Sequence, residues 1–541
     1  MRCSYIHPLT VCGFSLFLLL SASPIAAEDL EKGLIGPYFG DAEFQRPKGI
    51  EVLSDFDKVW PGGDGHGSNW SADYEGAIVP PISGEVAFHL KSNHPSKLFI
   101  DGKLMVENPG GEFKEETGKV ELEEGKETPI RLTYSKVEGE GDDVLALSWS
   151  WKGQDKRIVP AEAVRHSPSR FQEIEEAHPE LVEPPGRAPE IEIPVTNTIV
   201  YSQSGMFAGW PANNGVWVWG NEILVGFTVG GYRENQFGHS IDKGKRTRQA
   251  LGRSLDGGLT WNLEFPKSLS KGKRGATACP GGIDFTNPNL AIRCKDDSFH
   301  LSLDRGKAWE GPYRSVDIGR ELTSRTDTLA TGKDQCYFFL SAKDEGVQSG
   351  LQDRAFCSVT RDGGKSFEFL SWMTGEPLTV RSVMPSTVRT AEDRFVSVMR
   401  RRIDNRTETS EDIRNWIDAY GSNDGGKTWE FLSKVAETDT GKHNGNPPSL
   451  VRLDDGTLCA AYGYRAKPYG IRAKISKDNG KTWGKEIGLR TDAITWDIGY
   501  TRSVVREDGK VVSIYYFATQ ERPEQHIAAT IWDPQSVEEG S

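Results

Sequence analysis

Residues Ser254–Trp261 read SLDGGLTW, and the same pattern returns four more times further along the chain. Each copy has a hydroxyl residue, then an Asp two positions later, a Gly two positions after that, and an aromatic residue at the end. The copies start 48, 58, 62 and 54 residues apart. The other four copies are SLDRGKAW at Ser302–Trp309, TRDGGKSF at Thr360–Phe367, SNDGGKTW at Ser422–Trp429 and SKDNGKTW at Ser476–Trp483.

The repeated string has the composition of a tight turn. Its Asp accepts hydrogen bonds from backbone N–H groups just ahead, and its Gly permits the positive φ that closes a hairpin. The final aromatic residue anchors the turn to the sheet behind it. A calcium loop is the alternative, but such a loop needs several oxygen ligands, and each copy supplies one acid. We therefore expect structural turns on strand-rich units of about 50 residues, which is typical of a β-propeller.

Composition and charge exclude several classes of protein. The chain has 541 residues, including 59 Gly and 15 Trp, and few long helical patterns, which favours an all-β protein. A net charge of −13 argues against a nucleic-acid partner, because nothing would compensate phosphate repulsion. No pair of cysteines after the first 27 residues has the spacing of a metal site. We expect neither a metal nor an organic cofactor.

The first 27 residues have the pattern of a secretory signal peptide. Arg2 supplies a positive charge, 11–20 is apolar, and small residues lead to a cleavage site after Ala27. The apolar run is too short to cross a bilayer. We expect an exported protein, periplasmic or extracellular, without a membrane span. Five cysteines remain after cleavage, and we expect buried free thiols, with a Cys279–Cys294 bridge as the alternative.

Residues 29–166 lack the repeat and have the pattern of a separate β-rich module. Apolar residues alternate with polar ones over 86–90, and a turn is predicted at Asp101-Gly102. The segment 167–194 is rich in Pro and Glu and is predicted to be an extended linker. The remaining residues, 195–541, have room for six units of 50–60 residues each.

The module at 29–166 resembles the protective-antigen-type β-sandwich found in secreted glycosidases, adhesins and toxins. The resemblance rests on GLIGPYF from Gly33, the PPISG run from Pro80 and the IDGK turn from Ile100. It implies either a glycan-binding module or a spacer. Adhesin members hold calcium with paired Asp residues in one loop, whereas the corresponding stretch 92–97 reads SNHPSK, so no calcium is expected here.

The five turns and the six-unit length resemble the sialidase (neuraminidase) family, whose Asp-box turns lie on a propeller rim. That family uses a Tyr nucleophile, because the anomeric carbon of sialic acid carries a carboxylate that would repel a carboxylate nucleophile. The family Tyr stands eight residues before the last Asp-Gly turn, and Tyr500 stands eight residues before Asp508. The resemblance therefore implies that Tyr500 is the nucleophile; a half-buried strand aromatic is the alternative.

The family also grips the substrate carboxylate with Arg residues. Within VMPSTVRTAEDRFVSVMRRR, Arg400 falls at one of these positions, while Met384 stands where the family has a Glu that activates the Tyr. Arg465 or Arg472 corresponds to the next clamp residue, and the sequence does not choose between them. The first clamp Arg is missing, because Trp210 and its neighbours stand in that place.

Polar residues at other strand starts complete the candidate site. Asp242 lies close to the family's acid/base Asp, with a surface turn as the alternative. His443 and Asn446 precede a strand at a position that opens onto the central pocket in this fold, and His443 could serve as acid or base. Trp210 is a candidate for sugar stacking.

Two residues flank Tyr500 on its strand. Asp497 lies three positions before it, and Arg502 is expected to share its strand face. A Tyr between a carboxylate and a cation is a cluster whose pKa values shift. Because Met384 replaces the family Glu, Asp497 is a candidate for the missing base.

These observations predict an all-β protein, a six-bladed sialidase-like β-propeller after a β-sandwich. The leading function is a secreted, exo-acting glycoside hydrolase that releases a terminal acidic sugar from a glycan, since a propeller pocket is a closed funnel. Two alternatives stay open: a polysaccharide lyase acting on a uronate, with Tyr500 and His443 in proton abstraction, and a glycan-binding protein without catalysis.

Overall fold

The computed structural model describes residues 30–537, except 61–68, 112, 138–141, 183–184, 236–237, 271–274, 344–352, 376–379, 405–412 and 442. The chain divides into two compact units, 1–182 and 183–541, here called the sandwich unit and the propeller unit. The predicted signal peptide lies outside the described residues. Within them, no helix is both long and apolar enough for a transmembrane span.

The sandwich unit consists of two antiparallel sheets. Its strands are β1 (Glu31–Lys32), β2 (Leu34–Phe39), β3 (Pro47–Leu53), β4 (Asp57–Trp60), β5 (Trp70–Ile78), β6 (Gly84–Ser92), β7 (Ser96–Ile100), β8 (Lys103–Asn108), β9 (Lys114–Leu122), β10 (Thr128–Lys136), β11 (Asp143–Trp151), β12 (Gln154–Ile158) and β13 (Val164–His166). One sheet has the order β1-β13-β5-β10-β7-β8 with β2 and β3 attached, and the other has β12-β11-β6-β9 with β4 attached. The predicted turn is confirmed: Asp101 and Gly102 join β7 to β8 with φ of 48° and 72°, as a two-residue hairpin requires.

The segment 167–194, predicted as a linker, is divided between the two units. Helix α1 (Ser169–Ala177) belongs to the sandwich unit, where Ile174 and Leu181 pack with apolar residues of β2 and β3. Strand β14 (Ile191–Glu192) pairs in parallel with a propeller strand, β35 (Ile487–Arg490). The prediction of an extended linker is therefore wrong for these parts of the segment. The high Pro and Glu content outweighed the few apolar residues that pack against each unit.

Within the described residues, the propeller unit consists of six separate sheets, which confirms the six predicted blades. After β14 comes β15 (Val195–Tyr201). Blade 1 contains β16 (Met206–Gly209), β17 (Val216–Trp219), β18 (Glu222–Gly231), β19 (Arg248–Ser254) and β20 (Asn262–Glu264), and blade 2 contains β21 (Ala291–Lys295), β22 (Ser298–Ser302) and β23 (Glu310–Arg314). Blade 3 contains β24 (Thr328–Ala330), β25 (Cys336–Lys343), β26 (Asp353–Thr360) and β27 (Glu368–Trp372), and blade 4 contains β28 (Val380–Ala391), β29 (Arg394–Asp404), β30 (Ile413–Ser422) and β31 (Glu430–Glu437). Blade 5 contains β32 (Ser449–Arg452), β33 (Leu458–Tyr464), β34 (Gly470–Ser476) and β35, and blade 6 contains β36 (Gly499–Val505), β37 (Val511–Thr519) and β38 (Arg522–Trp532). Two short helices are α2 (Pro211–Asn214) and α3 (Lys267–Ser270).

The two ends of the propeller unit meet in one sheet. Strand β15, from the start of the unit, pairs antiparallel with β38, the last strand of the chain. Blade 6 is therefore built from both ends, which closes the ring of blades and protects the sheet edges. Buried free thiols are also confirmed, since Cys279, Cys294 and the other three described cysteines are buried and unbridged.

The five repeated strings connect the last two strands of blades 1–5, and each forms the same hydrogen-bonded turn. In the first, Ser254 Oγ donates to Asp256 Oδ1 at 2.8 Å and accepts from the Gly258 N–H at 2.8 Å. Asp256 Oδ1 also accepts from the Thr260 N–H at 2.9 Å. The carboxylate is thus occupied by its own turn, as the structural interpretation predicts. Burial opposes ionisation, but the hydrogen bonds from Thr260 lower the pKa of Asp256 to about 2.

We predict that Asp256→Ala destabilises the propeller unit in a pH-dependent way. At pH 7 the loss in unfolding free energy is expected to be about 1 kcal/mol, because several backbone N–H groups lose their acceptor. The folded-state pKa lies below the unfolded value, so this stabilisation is present above about pH 4 and disappears as the pH falls towards 2. Denaturant unfolding at pH 7 and pH 2 measures the difference, with the exposed Asp454→Ala as control. An equal loss at both pH values would contradict the role assigned to the carboxylate.

Candidate functional site

A cavity of about 440 Å³ lies where the starts of several blades converge. Its charged lining consists of Arg320, Arg325, Arg381 and Arg400 together with Asp296, Asp297, Glu321 and Asp353. Tyr500 of blade 6 and the apolar side chains of Leu322, Val383 and Met384 complete most of the wall. The cavity is therefore small, highly charged and apolar on one side, which suits a single polar ring rather than an extended apolar ligand.

Two of the cavity arginines are paired with carboxylates. Arg381 donates to Asp353, with Nη2 to Oδ2 at 2.6 Å. Arg325 donates to Asp296 Oδ1 at 3.1 Å and to Asn213 Oδ1 at 3.1 Å. These pairs hold the two guanidinium planes in place while leaving them at the cavity wall.

Arg400 differs from Arg325 and Arg381, because its side chain has no carboxylate partner among the described residues. Its side chain extends from β29, and the residue is 4% exposed. Among the described residues it makes neither a hydrogen bond nor an ion pair, and its buried Nε is unsatisfied. Burial lowers the pKa of Arg400 to about 9. A buried guanidinium without a partner is costly for the fold, so its presence in a cavity wall indicates an anionic ligand.

Tyr500 lies in a distorted part of β36. Its φ is 50°, in the left-handed region that non-glycine residues rarely adopt, and the pairing of β36 with β37 shifts register between Gly499 and Arg502. Asn446 holds this shape from both sides: its Nδ2 donates to Ile498 O at 2.8 Å, and its Oδ1 accepts from the Tyr500 N–H at 2.7 Å. Strain of this kind is retained where a side chain must be aimed at a ligand. Asn446 is therefore a positioning residue, and its contacts are with backbone rather than with the cavity.

We predict that Asn446→Ala lowers stability and releases Tyr500 from its position. The change leaves the Tyr500 N–H without its acceptor and removes one of the donors to Ile498 O, which is expected to lower the unfolding free energy by about 1–3 kcal/mol. Thermal unfolding measures this loss, with the exposed neighbour Asn444→Ala as the matched control. An unchanged melting temperature in Asn446→Ala would contradict the stabilising role assigned to the two hydrogen bonds of Asn446.

The phenol of Tyr500 is tuned by the surrounding arginines. Burial alone would raise its pKa, but the charge of Arg400, followed by those of Arg465 and Arg381, lowers it below its ordinary value. A lowered pKa increases the fraction of phenolate near neutral pH, and the phenolate is the nucleophilic form. The charges of these guanidinium groups therefore favour the phenolate form of Tyr500.

Met384 stands where the resemblance placed a Glu, and the structure shows what it does there. It lines the cavity with a φ of 54° and packs with Val383 and Ala212 against the ring of Tyr500. The apolar contact fixes the ring but removes no proton from it. A phenol in this setting depends on the arginine charges for its ionisation.

Asp497 was predicted to be the base for Tyr500, and the structure places its carboxylate elsewhere. It is 1% exposed and accepts hydrogen bonds from Tyr516 Oη at 2.5 Å and from His239 Nδ1 at 2.6 Å. No hydrogen bond joins Asp497 to Tyr500 in the part of the chain that the structure describes. The carboxylate therefore supports His239 rather than acting on the Tyr500 phenol directly.

The two alternatives for the next clamp residue both lie outside the cavity lining. Arg465 is fully buried, and it donates to Tyr516 Oη at 2.7 Å and to Ile498 O at 2.9 Å, while its guanidinium lies 5.6 Å from the Tyr500 ring centroid. Arg472 is paired with Glu486 within blade 5. Hydrogen bonds occupy most of the N–H groups of Arg465, and it acts on Tyr500 through its charge.

Arg502 was expected to share the face of Tyr500, and this is corrected by the register shift in β36. The shift breaks the two-residue alternation, so the two side chains diverge. Arg502 is 5% exposed and donates to the backbone carbonyls of Ala212 at 3.1 Å and Thr326 at 2.9 Å. It ties blades together at the centre and is not among the residues that line the cavity.

Three further predicted residues, Asp242, His443 and Trp210, are not among the residues that line the cavity. Asp242 forms a turn, in which its Oδ1 accepts from the Gly244 N–H at 3.0 Å and its carboxylate pairs with Lys245, and it is not among the cavity residues. His443 stacks on Trp496 with ring centroids 4.6 Å apart and planes at 5°. Trp210 packs edge-to-face on His239 at 5.0 Å. The two histidines and two tryptophans thus form an aromatic rim next to Tyr500.

Sequence reasoning missed Arg325, Arg381 and His239. Arg325 and Arg381 lie at or just before the first strands of blades 3 and 4, the same relative place as Tyr500 in blade 6. The spacing of the repeats was sufficient to predict these two positions at the starts of blades. His239 lies three residues before Asp242, but only the fold brings it to Asp497, 258 residues away.

Comparisons with known protein families agree with the division of the chain into a sandwich unit and a propeller unit. Residues 30–163 match the family model described as PA14 domain, and residues 253–513 match that described as BNR repeat-like domain. The chain therefore combines a PA14 domain with a propeller that carries BNR-type repeats.

The individual similar proteins cover parts of the chain. The anti-sigma-I factor RsgI3 of Acetivibrio thermocellus is 29% identical over 147 residues, 26% of this chain, and the chain spans 22% of that relative's length. A solved structure of a protein of unknown function from Dyadobacter fermentans is 21% identical, with a TM-score of 0.46, covering 62% of this chain and 97% of its own. The Penicillium chrysogenum alpha-L-arabinanase complexed with arabinobiose is 15% identical, with a TM-score of 0.43, covering 62% and 98%.

Proposed function

We propose that this protein is an exported, exo-acting glycoside hydrolase that releases a terminal acidic sugar from a glycan, with Tyr500 as the nucleophile. In this proposal the propeller cavity holds one sugar ring, and the arginines of the cavity hold its anionic group. Sialic acid, a uronic acid and a sulfated sugar all carry such a group, so the class of substrate is defined by charge rather than by one named sugar.

The observation that carries the proposal is the pairing of an ionisable phenol with an unpartnered cation. Tyr500 and Arg400 line the same cavity, and Arg400 contributes most to lowering the pKa of Tyr500. An anionic ligand would give Arg400 the partner that it lacks in the described residues, in the forked geometry that guanidinium groups favour. Arg381 and Arg325, each held by a carboxylate, would supply further donors.

The size of the cavity supports exo action. About 440 Å³ accommodates one sugar ring with its substituents, whereas an internal chain segment needs an open groove. The apolar wall formed by Met384 and Val383 would face a carbon-rich part of the ring. Attack by the Tyr500 phenolate on the anomeric carbon would then form a glycosyl–tyrosine intermediate that water hydrolyses, which is the double displacement of a retaining glycosidase.

Export is part of the proposal and rests on the pattern of residues 1–27. The PA14 domain would keep the enzyme on a glycan surface while the propeller acts on chain ends. Both parts fit the substrate class, since an exported enzyme meets polymeric glycans outside the cell.

Product analysis tests the proposal. The purified protein is incubated with sialylated glycoprotein, uronate-containing polysaccharides and sulfated polysaccharides, and the products are identified by mass spectrometry. Release of single acidic sugars is the expected result. An unsaturated product that absorbs in the ultraviolet would instead identify a lyase, and binding without any product would identify a glycan-binding protein; either result overturns the proposal.

A further inference from the structure

The buried network behind Tyr500 has a fixed direction of hydrogen bonding. Arg465 can only donate, so Tyr516 Oη accepts from its Nη2 at 2.7 Å and must donate its own proton to Asp497 Oδ1 at 2.5 Å. The Asp497 carboxylate also accepts from the Ser240 N–H at 3.3 Å. Asp497 is therefore an acceptor towards every neighbour, and its pKa is lowered although burial opposes ionisation, chiefly because of His239.

The direction of these hydrogen bonds determines which ring nitrogen of His239 carries a proton. Its Nδ1 lies 2.6 Å from Asp497 Oδ1, and because that oxygen is an acceptor, Nδ1 must carry a proton. The other ring nitrogen, Nε2, has no partner among the described residues. Nε2 is thus the nitrogen that can hold or give up a proton when a ligand is present.

The His239 ring lies beside Tyr500, which lines the cavity. The His239 side chain is 32% exposed, and its ring lies edge-to-face with Tyr500 at a centroid distance of 6.1 Å. Trp210 at 5.0 Å and Trp496 at 6.4 Å enclose the ring on other sides. A partly exposed imidazole that is fixed by a buried carboxylate beside a nucleophile has the geometry of a proton-transfer residue.

We propose that His239 is the general acid and base of the reaction, and that Asp497 is the positioning residue that fixes its tautomer. This inference rests on the proposed function and assigns the proton-transfer step that Tyr500 alone cannot perform. It also replaces Asp242, whose carboxylate is held in a turn away from the cavity lining.

The two half-reactions balance as follows. In the first, the Tyr500 phenolate forms a bond to the anomeric carbon while the glycosidic C–O bond breaks, and protonated His239 gives its Nε2 proton to the departing oxygen. In the second, neutral His239 takes a proton from water through Nε2. The water oxygen then bonds to the anomeric carbon, the bond to Tyr500 breaks, and the phenolate is restored.

The groups that face His239 support this cycle. Asp497 lies at 2.6 Å and Tyr516 Oη at 3.5 Å on the Nδ1 side. Arg465 is a cation of the same network, with its Nη2 4.0 Å from Asp497 Oδ1, and it acts on Asp497. Trp210, Trp496 and Tyr500 present aromatic rings to the imidazole. The positive charge that forms on His239 therefore faces one buried negative charge.

Leaving-group dependence tests the acid role. His239→Ala is expected to lose about a hundredfold or more in turnover of a natural glycan, since general acid–base catalysis contributes on that order. With a nitrophenyl glycoside, whose leaving group needs no proton, bond breaking is expected to persist, and added azide is expected to restore turnover. His300→Gln, a half-buried histidine of blade 2, is the control. Equal loss on both substrates without azide rescue would overturn the assignment.

A measurement on the resting protein separates this inference from the proposed function. Nitrogen NMR of histidine-labelled protein is expected to show His239 protonated at Nδ1, and Asp497→Asn is expected to remove that preference and flatten the pH–rate profile. Glycan turnover that requires Tyr500 but not His239 would overturn this inference alone. A wild-type protein that releases no sugar would overturn the proposed function and this inference together.

Discussion

Tyr500→Phe is expected to reduce turnover of every accepted glycan by about a thousandfold or more, because loss of a nucleophile removes the covalent route. The substitution deletes one oxygen and keeps the ring that packs on Met384, so the fold should be retained. The strained backbone at φ 50° depends on Asn446, which contacts the main chain and not the phenol. Turnover and thermal unfolding, measured side by side, distinguish lost chemistry from lost structure.

Tyr516→Phe provides a comparison within the same site. It removes a hydroxyl that bonds Asp497 and Arg465 but does not line the cavity, so a smaller loss of turnover is expected, together with lower stability. A Tyr500→Phe variant that keeps most of its activity would show that the nucleophile lies elsewhere.

Arg400→Met is expected to make the protein more stable and less active. Removing a buried charge without a partner should raise the unfolding free energy by about 1 kcal/mol or more, because methionine fills the space without a desolvation penalty. The same change should lower kcat/KM by about a hundredfold or more, since the anionic group of the substrate loses its partner. Functional sites commonly hold residues that weaken the fold in this way.

Titration of Tyr500 provides a second measurement on Arg400→Met. Arg400 is the largest favourable charge acting on Tyr500, so its removal is expected to raise the pKa of that phenol towards its ordinary value. Ultraviolet difference absorbance between Arg400→Met and Arg400→Met with Tyr500→Phe isolates this group.

Arg401→Met is the matched control, since Arg401 is the next residue on β29 and is 7% exposed. It lies 3.3 Å from Asp418, so its removal leaves a buried carboxylate unpaired and should destabilise the protein. Its removal should leave kcat/KM nearly unchanged, because Arg401 does not line the cavity. If both variants lowered stability equally, the interpretation of Arg400 as an unpartnered ligand group would be wrong.

The sequence was sufficient to predict the fold because the decisive features are local and repeated. Asp256 and Gly258 sit in a turn whose partners lie within a few residues, so spacing alone predicts the hydrogen bonds. Five such turns at regular intervals require a radial arrangement, and the residues left over account for a sixth blade. The predicted hairpin at Asp101-Gly102 succeeded for the same reason.

The candidate site was predicted only in part, because its geometry depends on contacts between distant blades. Tyr500 and Arg400 could be found by position within their strands, and both line the cavity. Arg465 and Arg502 have the same residue type and similar positions, but their guanidinium groups already donate to backbone carbonyls outside the cavity lining. Strand patterns do not reveal which arginine finds such partners, nor that His239 meets Asp497.

The register shift in β36 explains a further failure. Simple alternation places Tyr500 and Arg502 on one face, but the shift turns the two side chains apart and gives Tyr500 its left-handed φ. Such a distortion is stabilised by Asn446, a residue of another blade. Local sequence therefore predicts a regular strand where tertiary contacts impose an irregular one.

The most direct test of the account is the identity of the residue that becomes attached to the sugar during turnover. A fluorinated acidic sugar with an activated leaving group slows the second half-reaction, so the intermediate accumulates and can be located by peptide mass spectrometry. One added sugar is expected on the peptide that contains Tyr500, and none in Tyr500→Phe. Turnover of the reagent without any label, or a label on a different residue, would contradict it.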